Sequence, residues 1–386
     1  MDKIKNLFNT KKYRNEIKSY YHSLGNPIWS ERNYEVFSNE GYIKNVVCYK
    51  CVSMLARSAS SVPFLVYDKT TNKEVSNHPI ADLLNHPNPT QNRLEFFESL
   101  YSYKLIAGNV FLQGIFVDDN NMKSLKELFI LKPENMTIIV GNSNIPLAYK
   151  YKVNSNEKLF YVDNITGQSD ILHIKNFNPI NDWYGLSAIE PASYSIDQHN
   201  EASKWNQAML QNGAKPSGAL MVKNNSDNTA TLTDEQFNRL KNQLYEEFTG
   251  AKNNSKPLLL EGGLEWKEMS LSPIDMDFLN TKNSCARDIA MAFGVPSQLL
   301  GIPGDNTYSN MTEARLSMWE ETILPMVDNV MNALENWLSY TFDKNIGLYY
   351  DKDKISALSN RQEIYWNKIS NANFLSNEEK KKLLDL

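Results

Sequence analysis

The sequence predicts an α+β protein built from more than one subdomain, and three observations support that reading. In the first half, segments with helical apolar spacing alternate with short β-branched and aromatic runs. In the second half, two long helical stretches enclose a compact β-α-β-β insert. The 386 residues also exceed the roughly 250–300 at which one hydrophobic core stops growing.

Residues 1–40 are rich in Lys, Asn and Tyr and have no clear period, so they read as an N-terminal arm or a loosely packed helix. From Tyr42 to about Ser61 the spacing is helical, through Val46, Val47, Met54 and Leu55, until Pro63 ends it. Residues 64–67 (FLVY) predict a buried strand, and residues 68–77 a turn-rich loop. Residues 81–84 and 92–106 predict helices. After Gly108 come strand-like runs at 109–117, 128–131, 136–140, 147–153 and 171–174, expected to form one α+β layer with the helices.

Ser187, with Glu190 three residues on, reads as a capping box opening a helix that runs to Gln211 and stops at Gly213. Its polar stretch from Gln198 to Gln207 predicts a face turned to water or to another chain. The insert follows, with a strand at 219–222, an amphipathic helix at 233–248, and strands at 257–260 and 264–268. Ser272, Pro273 and Asp275 carry the signals of a helix start, and Gly294 and Pro296 those of its end. Residues 302–309 predict a loop, and residues 310–339 a helix of roughly 45 Å kinked at Pro325, with Leu316, Ile323, Val327, Val330, Leu334 and Trp337 on its apolar side. Residues 346–350 read as a returning strand, and residues 356–386 as a polar helical tail.

A net charge of −5 and a pI near 5.7 argue against a protein that grips nucleic acid with a basic surface, though not against one that DNA merely passes through. No apolar run approaches the roughly 18–20 residues that span a bilayer, and no signal-peptide core opens the chain, so a cytosolic origin is expected. Three cysteines cannot all pair within one chain.

Catalytic signals are weak. Gly250 to Lys256 has Ser255 where a phosphate-binding loop needs its second glycine, so no nucleotide motor is expected. Glu265-Trp266-Lys267 matches half of a metal-dependent nuclease motif, in which a carboxylate holds the ion and a lysine steadies the attacking water. Alternation with Leu264 makes it read better as a strand edge. Cys48 and Cys51 have half-zinc spacing without a second pair, and in a helical pattern they read as small buried thiols. Turn formation and core packing account for His78, His86 and His173. No metal and no cofactor is expected.

The order of elements, together with HPIADLLNHPNPTQ at 78–91, Gly108-Asn109, DILHIK at 170–175, YGLSAIEPA at 184–192, NGAKPSGAL at 212–220 and AFGVPSQLLG at 292–301, resembles the phage portal proteins of the HK97 type from about residue 41 onward. The resemblance implies a wing at 41–186 (with 294–301 and 340–352), stem helices at 187–213 and 273–293, and a clip at 214–272. It further implies a tunnel loop at 302–309, a kinked channel helix at 310–339 and a short crown at 353–386. Gly304, Asp305, Asn306, Thr307, Tyr308, Ser309 and Asn310 then become tunnel-loop contacts to DNA, although on composition alone they are an ordinary surface turn. Asp234, Glu235, Arg239, Lys241 and Glu246 become a clip interface, where charge patterning alone gives a solvated face. Asn280, Lys282, Asn283 and Ser284 are expected to face a neighbouring subunit or the channel, with Ile289 and Phe293 packed inward.

The partners implied are further copies in a ring of twelve, double-stranded DNA, the terminase large subunit, a head–tail adaptor and the major capsid protein, without a membrane. The place implied is the portal vertex of a virion, assembled in a bacterial cytoplasm from a prophage. Such a protein is a conduit and not an enzyme. The other readings are a metal-dependent DNA-processing enzyme using Glu265 and Lys267, and a capsid scaffold or adaptor without a channel.

Overall fold

In the computed structural model the chain is described over residues 34–119, 122–141, 145–211, 218–222, 264–268, 277–304, 308–342 and 345–352, with isolated positions within 235–242 and 355–380. Helix α1 starts at Tyr34–Val36 and runs into a π-helical stretch, Phe37–Ile43, with Phe37 buried. The expected arm boundary at residue 40 therefore falls inside a packed helix. Asn45 then caps α2 (Val46–Ser60), its side-chain oxygen accepting from the N–H groups of Val47 and Cys48. That cap sets the helix phase. Cys48, Cys51, Val52, Leu55, Ala56 and Ala59 are buried, while Val46, about 200° round the helix from Cys48, is left 67% exposed instead of joining the core.

Strand β1 (Leu65–Asp68) pairs antiparallel with the two-residue β2 (Lys73–Glu74) on one side. On the other it pairs with β11 (Ile346–Tyr349), Val66 lying opposite Leu348. Helix α3 (Pro79–Asn85) is capped by His78, whose Nδ1 accepts from Ile80 N–H. Helix α4 (Arg93–Ala107) opens with a reciprocal capping box between Asn92 and Glu95 and ends at Gly108, which has φ 69°.

The expected single layer of strands is two three-stranded sheets. One has the order β4-β3-β8, from Met122–Leu131, Asn109–Asp119 and Ile171–Lys175. The other has the order β5-β6-β7, from Met136–Val140, Pro146–Val153 and Asn156–Tyr161. The cause lies in β3. Successive side chains of a strand alternate in direction, and here Val110 and Leu112 enter the main core while Phe111 enters a second one with Met136, Ile138, Tyr149, Phe160 and Ile171. A strand buried on both faces must be covered twice. Strand β7, absent from the sequence reading, is a mostly exposed outer strand whose one buried position is Phe160.

Helix α5 (Ile189–Gln211) leads to β9 (Gly218–Val222), which pairs antiparallel with β10 (Leu264–Glu268). Helix α6 (Phe278–Ala292) returns. The expected start at Pro273 is not reached by a continuous helix, because Asp277 is left-handed (φ 46°, ψ 40°) and α6 begins after it. Ser272, Pro273 and Asp275 lie outside the described residues.

Helix α6 ends as expected. Gly294 has φ 66°, its N–H reaches the Met291 carbonyl, and Val295 N–H reaches the Ala290 carbonyl, so two end carbonyls are satisfied. After a 3₁₀ turn at Ser297–Leu300, α7 (Tyr308–Ser317) begins two residues before the expected position. No glycine or proline lies between residues 305 and 324 to stop it. A π-helical turn, Met318–Ile323, joins α7 to α8 (Leu324–Leu338), with Pro325 in the first turn of α8. The wider turn accommodates a residue that has no N–H to give.

Candidate functional site

Three of the quoted motifs, Gly108-Asn109, DILHIK and YGLSAIEPA, meet at one joint between a sheet and the long helices. Gly185 N–H donates to Asn109 Oδ1 at 2.7 Å, and Asn109 Nδ2 donates to the carbonyls of Gly185 (3.2 Å) and Ala107 (2.8 Å). His173 Nε2 donates to the same Asn109 oxygen at 3.0 Å, and its ring stacks on Phe111 with centroids 4.3 Å apart. Burial, helped by the charges of Lys175 and Lys104, lowers the His173 pKa to about 3, so the ring is neutral.

Glycine is required on both sides of this contact. A Cβ on Gly108 would lie 2.4 Å from the backbone of Leu186, and one on Gly185 would lie 2.2 Å from the Gly108 carbonyl oxygen. Ser187 follows, buried, its hydroxyl accepting from Ile189 N–H and donating to the Ile106 carbonyl at 2.6 Å. The expected capping box is therefore not made as drawn, since the Glu190 N–H goes to the Ser187 carbonyl.

From this joint α5 and α6 run antiparallel as a two-helix rod. Ser195 Oγ donates to Asp288 Oδ2 at 3.2 Å, Cys285 Sγ to Gln198 Oε1 at 3.5 Å, and Trp205 stacks on Phe278 at 4.2 Å. Each step forward along α5 is matched by an equal step back along α6. Ile289 and Phe293 pack inward, as expected.

The polar stretch of α5 is only partly wet. His199 and Asn200 are buried against Asn45, whose Nδ2 reaches His199 Nδ1 (3.2 Å) and Asn200 Oδ1 (3.0 Å), while Asn200 Nδ2 donates to the Glu40 carbonyl. Burial, and then the charge of Lys282, lowers the His199 pKa. Asn45 thus serves two purposes, capping α2 with its oxygen and tethering the rod with its amide. Sequence reasoning missed Asn45, Asn176 and Lys104, although Asn45 directly before an apolar helical run is a cap signal.

The anticipated stem residues sit in the first two turns of α6. Asn280 and Ser284 are exposed, Lys282 and Asn283 are half-buried, and Asn280 Nδ2 donates to both carboxylate oxygens of Asp277. Beyond α6, Ile302 is buried, and Arg287 Nη2 donates to the Pro303 carbonyl at 3.4 Å. Thr322 Oγ1 donates to the Gly294 carbonyl at 2.7 Å, joining the π turn to the end of α6. Gly304 is exposed with φ 91°, and Tyr308, Ser309 and Asn310 form the first turn of α7, not loop. Asp305, Asn306 and Thr307 lie outside the described residues.

In the insert, Glu235 and Arg239 are helical and exposed, whereas Asp234, Lys241 and Glu246 lie outside the described residues. Glu265 and Lys267 lie on β10, opposite Met221 and Ala219 of β9. Among the described residues, no group of three or more His, Cys, Asp or Glu is placed to hold a metal ion, and no helix is long and apolar enough to cross a membrane.

Comparison with known proteins agrees with this architecture. The family model described as phage portal protein matches residues 46–385. An uncharacterized protein of Rickettsia bellii is 48% identical over 347 residues, covering 90% of this chain and 88% of that one. A chain in the neck of a native gene transfer agent (GTA) particle, computed with C12 symmetry, is 38% identical with a TM-score of 0.70, covering 94% of this chain and 96% of that one. The portal protein of Enterobacteria phage HK97 is 24% identical over 332 residues, covering 83% of this chain and 73% of that one. Because the family model spans residues 46–385, nearly the whole chain, the protein belongs to the phage portal protein family.

Proposed function

We propose that the chain is one subunit of a ring, twelve copies around a bore, set at one vertex of a capsid as the conduit for double-stranded DNA. The main support is its 38% identity, over 94% of its length, to a chain in a neck computed with C12 symmetry. In this reading the three three-stranded sheets and their helices are the wing (41–186, with 294–301 and 340–352). Stem helices at 187–213 and 273–293 contain α5 and α6, and residues 214–272 are the clip. Residues 302–309 are the tunnel loop, residues 310–339 the channel helix, and residues 353–386 the crown.

Function follows from symmetry and charge. A ring copies every lining side chain around the bore, so a single lysine becomes a belt. Duplex DNA carries a charge about every 1.7 Å, and a strongly basic bore would hold it by counterion release. A chain of net charge −5 suits a bore through which DNA slides. Gly304 to Asn310 contact the DNA, Asn280 to Ser284 meet a neighbouring subunit or the channel, and Asp234, Glu235, Arg239, Lys241 and Glu246 form the clip contact. The clip end docks the terminase large subunit and then the head–tail adaptor, and the outer surface meets the major capsid protein. The ring performs no catalysis, since the ATP-driven motor is a separate protein.

Native mass spectrometry and negative-stain imaging of the purified chain test the reading. Closed rings of about twelve copies with a central hole are expected. A monomer or dimer under all assembly conditions would overturn it. Magnesium-dependent DNA cleavage abolished by Glu265→Ala would favour an enzyme instead.

A further inference from the structure

The loop at 176–184, between β8 and α5, is braced by the side chains of its own asparagines. Asn178 Oδ1 accepts from the N–H groups of Ile180 (3.0 Å) and Asn181 (3.3 Å), and Asn181 Oδ1 from those of Trp183 (2.8 Å) and Tyr184 (3.0 Å). These are two successive side-chain-mimicked turns. Asn178 Nδ2 donates to the Tyr184 carbonyl and closes the loop on itself.

The base is held as firmly. Asn176 Nδ2 donates to the carbonyls of Lys104 and Leu186, and its Oδ1 accepts from the Lys104 ammonium. Lys104 is only 5% exposed, so a costly buried cation is committed to this anchor. The Lys175 ammonium donates to the Asp182 carbonyl.

What this scaffold presents is apolar. Phe177 is 85% exposed and Ile180 is 93% exposed, and Pro179 beside them is exposed as well. Ordering a loop this completely to hold two large apolar side chains in water returns nothing to an isolated chain. Covering both would remove about 300 Å² of apolar surface.

We propose that Phe177 and Ile180 form a preorganised apolar knob that inserts into the next copy of this chain. The proposal rests on the ring reading above. From residue 176 to 186 the only charged side chain is Asp182, so the loop has nothing with which to bind phosphate. A closed ring offers every subunit the same neighbouring surface in the same geometry, as a knob with a fixed backbone requires. Preorganisation keeps the ordering cost out of association, and an aromatic side chain is the usual anchor of such a contact. The loop also leads into α5, which the ring reading places in the stem.

The test places the photo-reactive residue p-benzoylphenylalanine at position 177 of the full chain and irradiates assembled rings. Covalent dimers and higher ladders are expected, with the adduct mapping to a second copy. Phe177→Asp should lower the assembled fraction at least about tenfold without changing the melting temperature of the monomer, and Phe177→Trp should retain rings. Intact rings without an intersubunit adduct, full assembly of Phe177→Asp, or an adduct formed solely with another protein would each overturn the knob while leaving the ring reading in place. Failure of the unsubstituted chain to form any ring would remove the ring reading and the knob with it.

Discussion

Asn109 and Gly185 clasp each other in the manner of two paired backbones: the Gly185 N–H gives to the Asn109 side-chain oxygen, and the Asn109 amide gives back to the Gly185 carbonyl. Because Asn109 is buried, truncating it strands the Gly185 polar groups away from water. Asn109→Ala is expected to cost about 2–4 kcal/mol, visible as a clear fall in melting temperature. Gly185→Ala should be at least as damaging, since its methyl group would meet the Gly108 carbonyl oxygen at 2.2 Å. A melting temperature unchanged by either substitution would show that this joint does not hold the long helices to the sheets.

Acid should weaken the fold through two histidines. The folded-state pKa values of His173 and His199 are both lowered, chiefly by burial, so below about pH 6.5 the unfolded chain takes up protons that the folded chain refuses. Stability is therefore complete above that pH and lost as pH falls. For His173 the loss continues down to about pH 3, at up to roughly 1.4 kcal/mol per pH unit. Melting temperature measured from pH 7.5 to 4 should fall less steeply in His173→Phe than in the unsubstituted chain. Parallel curves would exclude His173 as a source of the acid sensitivity.

At the start of α6 the rod is held by Trp205 stacked on Phe278. A double-mutant cycle with Trp205→Ala and Phe278→Ala should give a coupling of about 0.5–1.5 kcal/mol. Additive effects would mean that α5 and α6 meet there without mutual support.

The tunnel-loop assignment predicts a separation of assembly from packaging. Asp305→Trp with Asn306→Trp should leave rings intact by native mass spectrometry while DNase-protected DNA per particle drops by an order of magnitude. Loss of assembly, with normal packaging by whatever rings remain, would place the loop at a subunit contact instead of in the bore.

Much of the helical framework was legible in the sequence because its signals are local. Gly294 and Pro296 mark the end of α6, Pro325 marks the break before α8, and the spacing from Ile323 to Leu334 gives the buried side of that helix. At the start of α6 a backbone angle was responsible for the failed boundary: Asp277 is left-handed, and nothing in its residue type demands that.

The candidate site was less legible, because its parts are distant in the chain. Gly108-Asn109, His173 and Gly185 were all visible as motif residues, yet no spacing rule brings them together. Asn45 reads as a helix cap, and only the packed structure shows its amide holding His199 and Asn200.

By itself, then, the sequence determined most of the helices and strands, the end of α6 and the family resemblance, each of which depends on chemistry within a few residues. Only the tertiary structure decided that β3 to β8 divide between two sheets, that part of the polar stretch of α5 is buried, and that Phe177 and Ile180 stand exposed on one asparagine-braced loop. Burial and hydrogen-bond pairing are set by which distant segments meet, and here that was settled by the two-faced burial of β3 and the close backbone contact of Gly108 with Gly185.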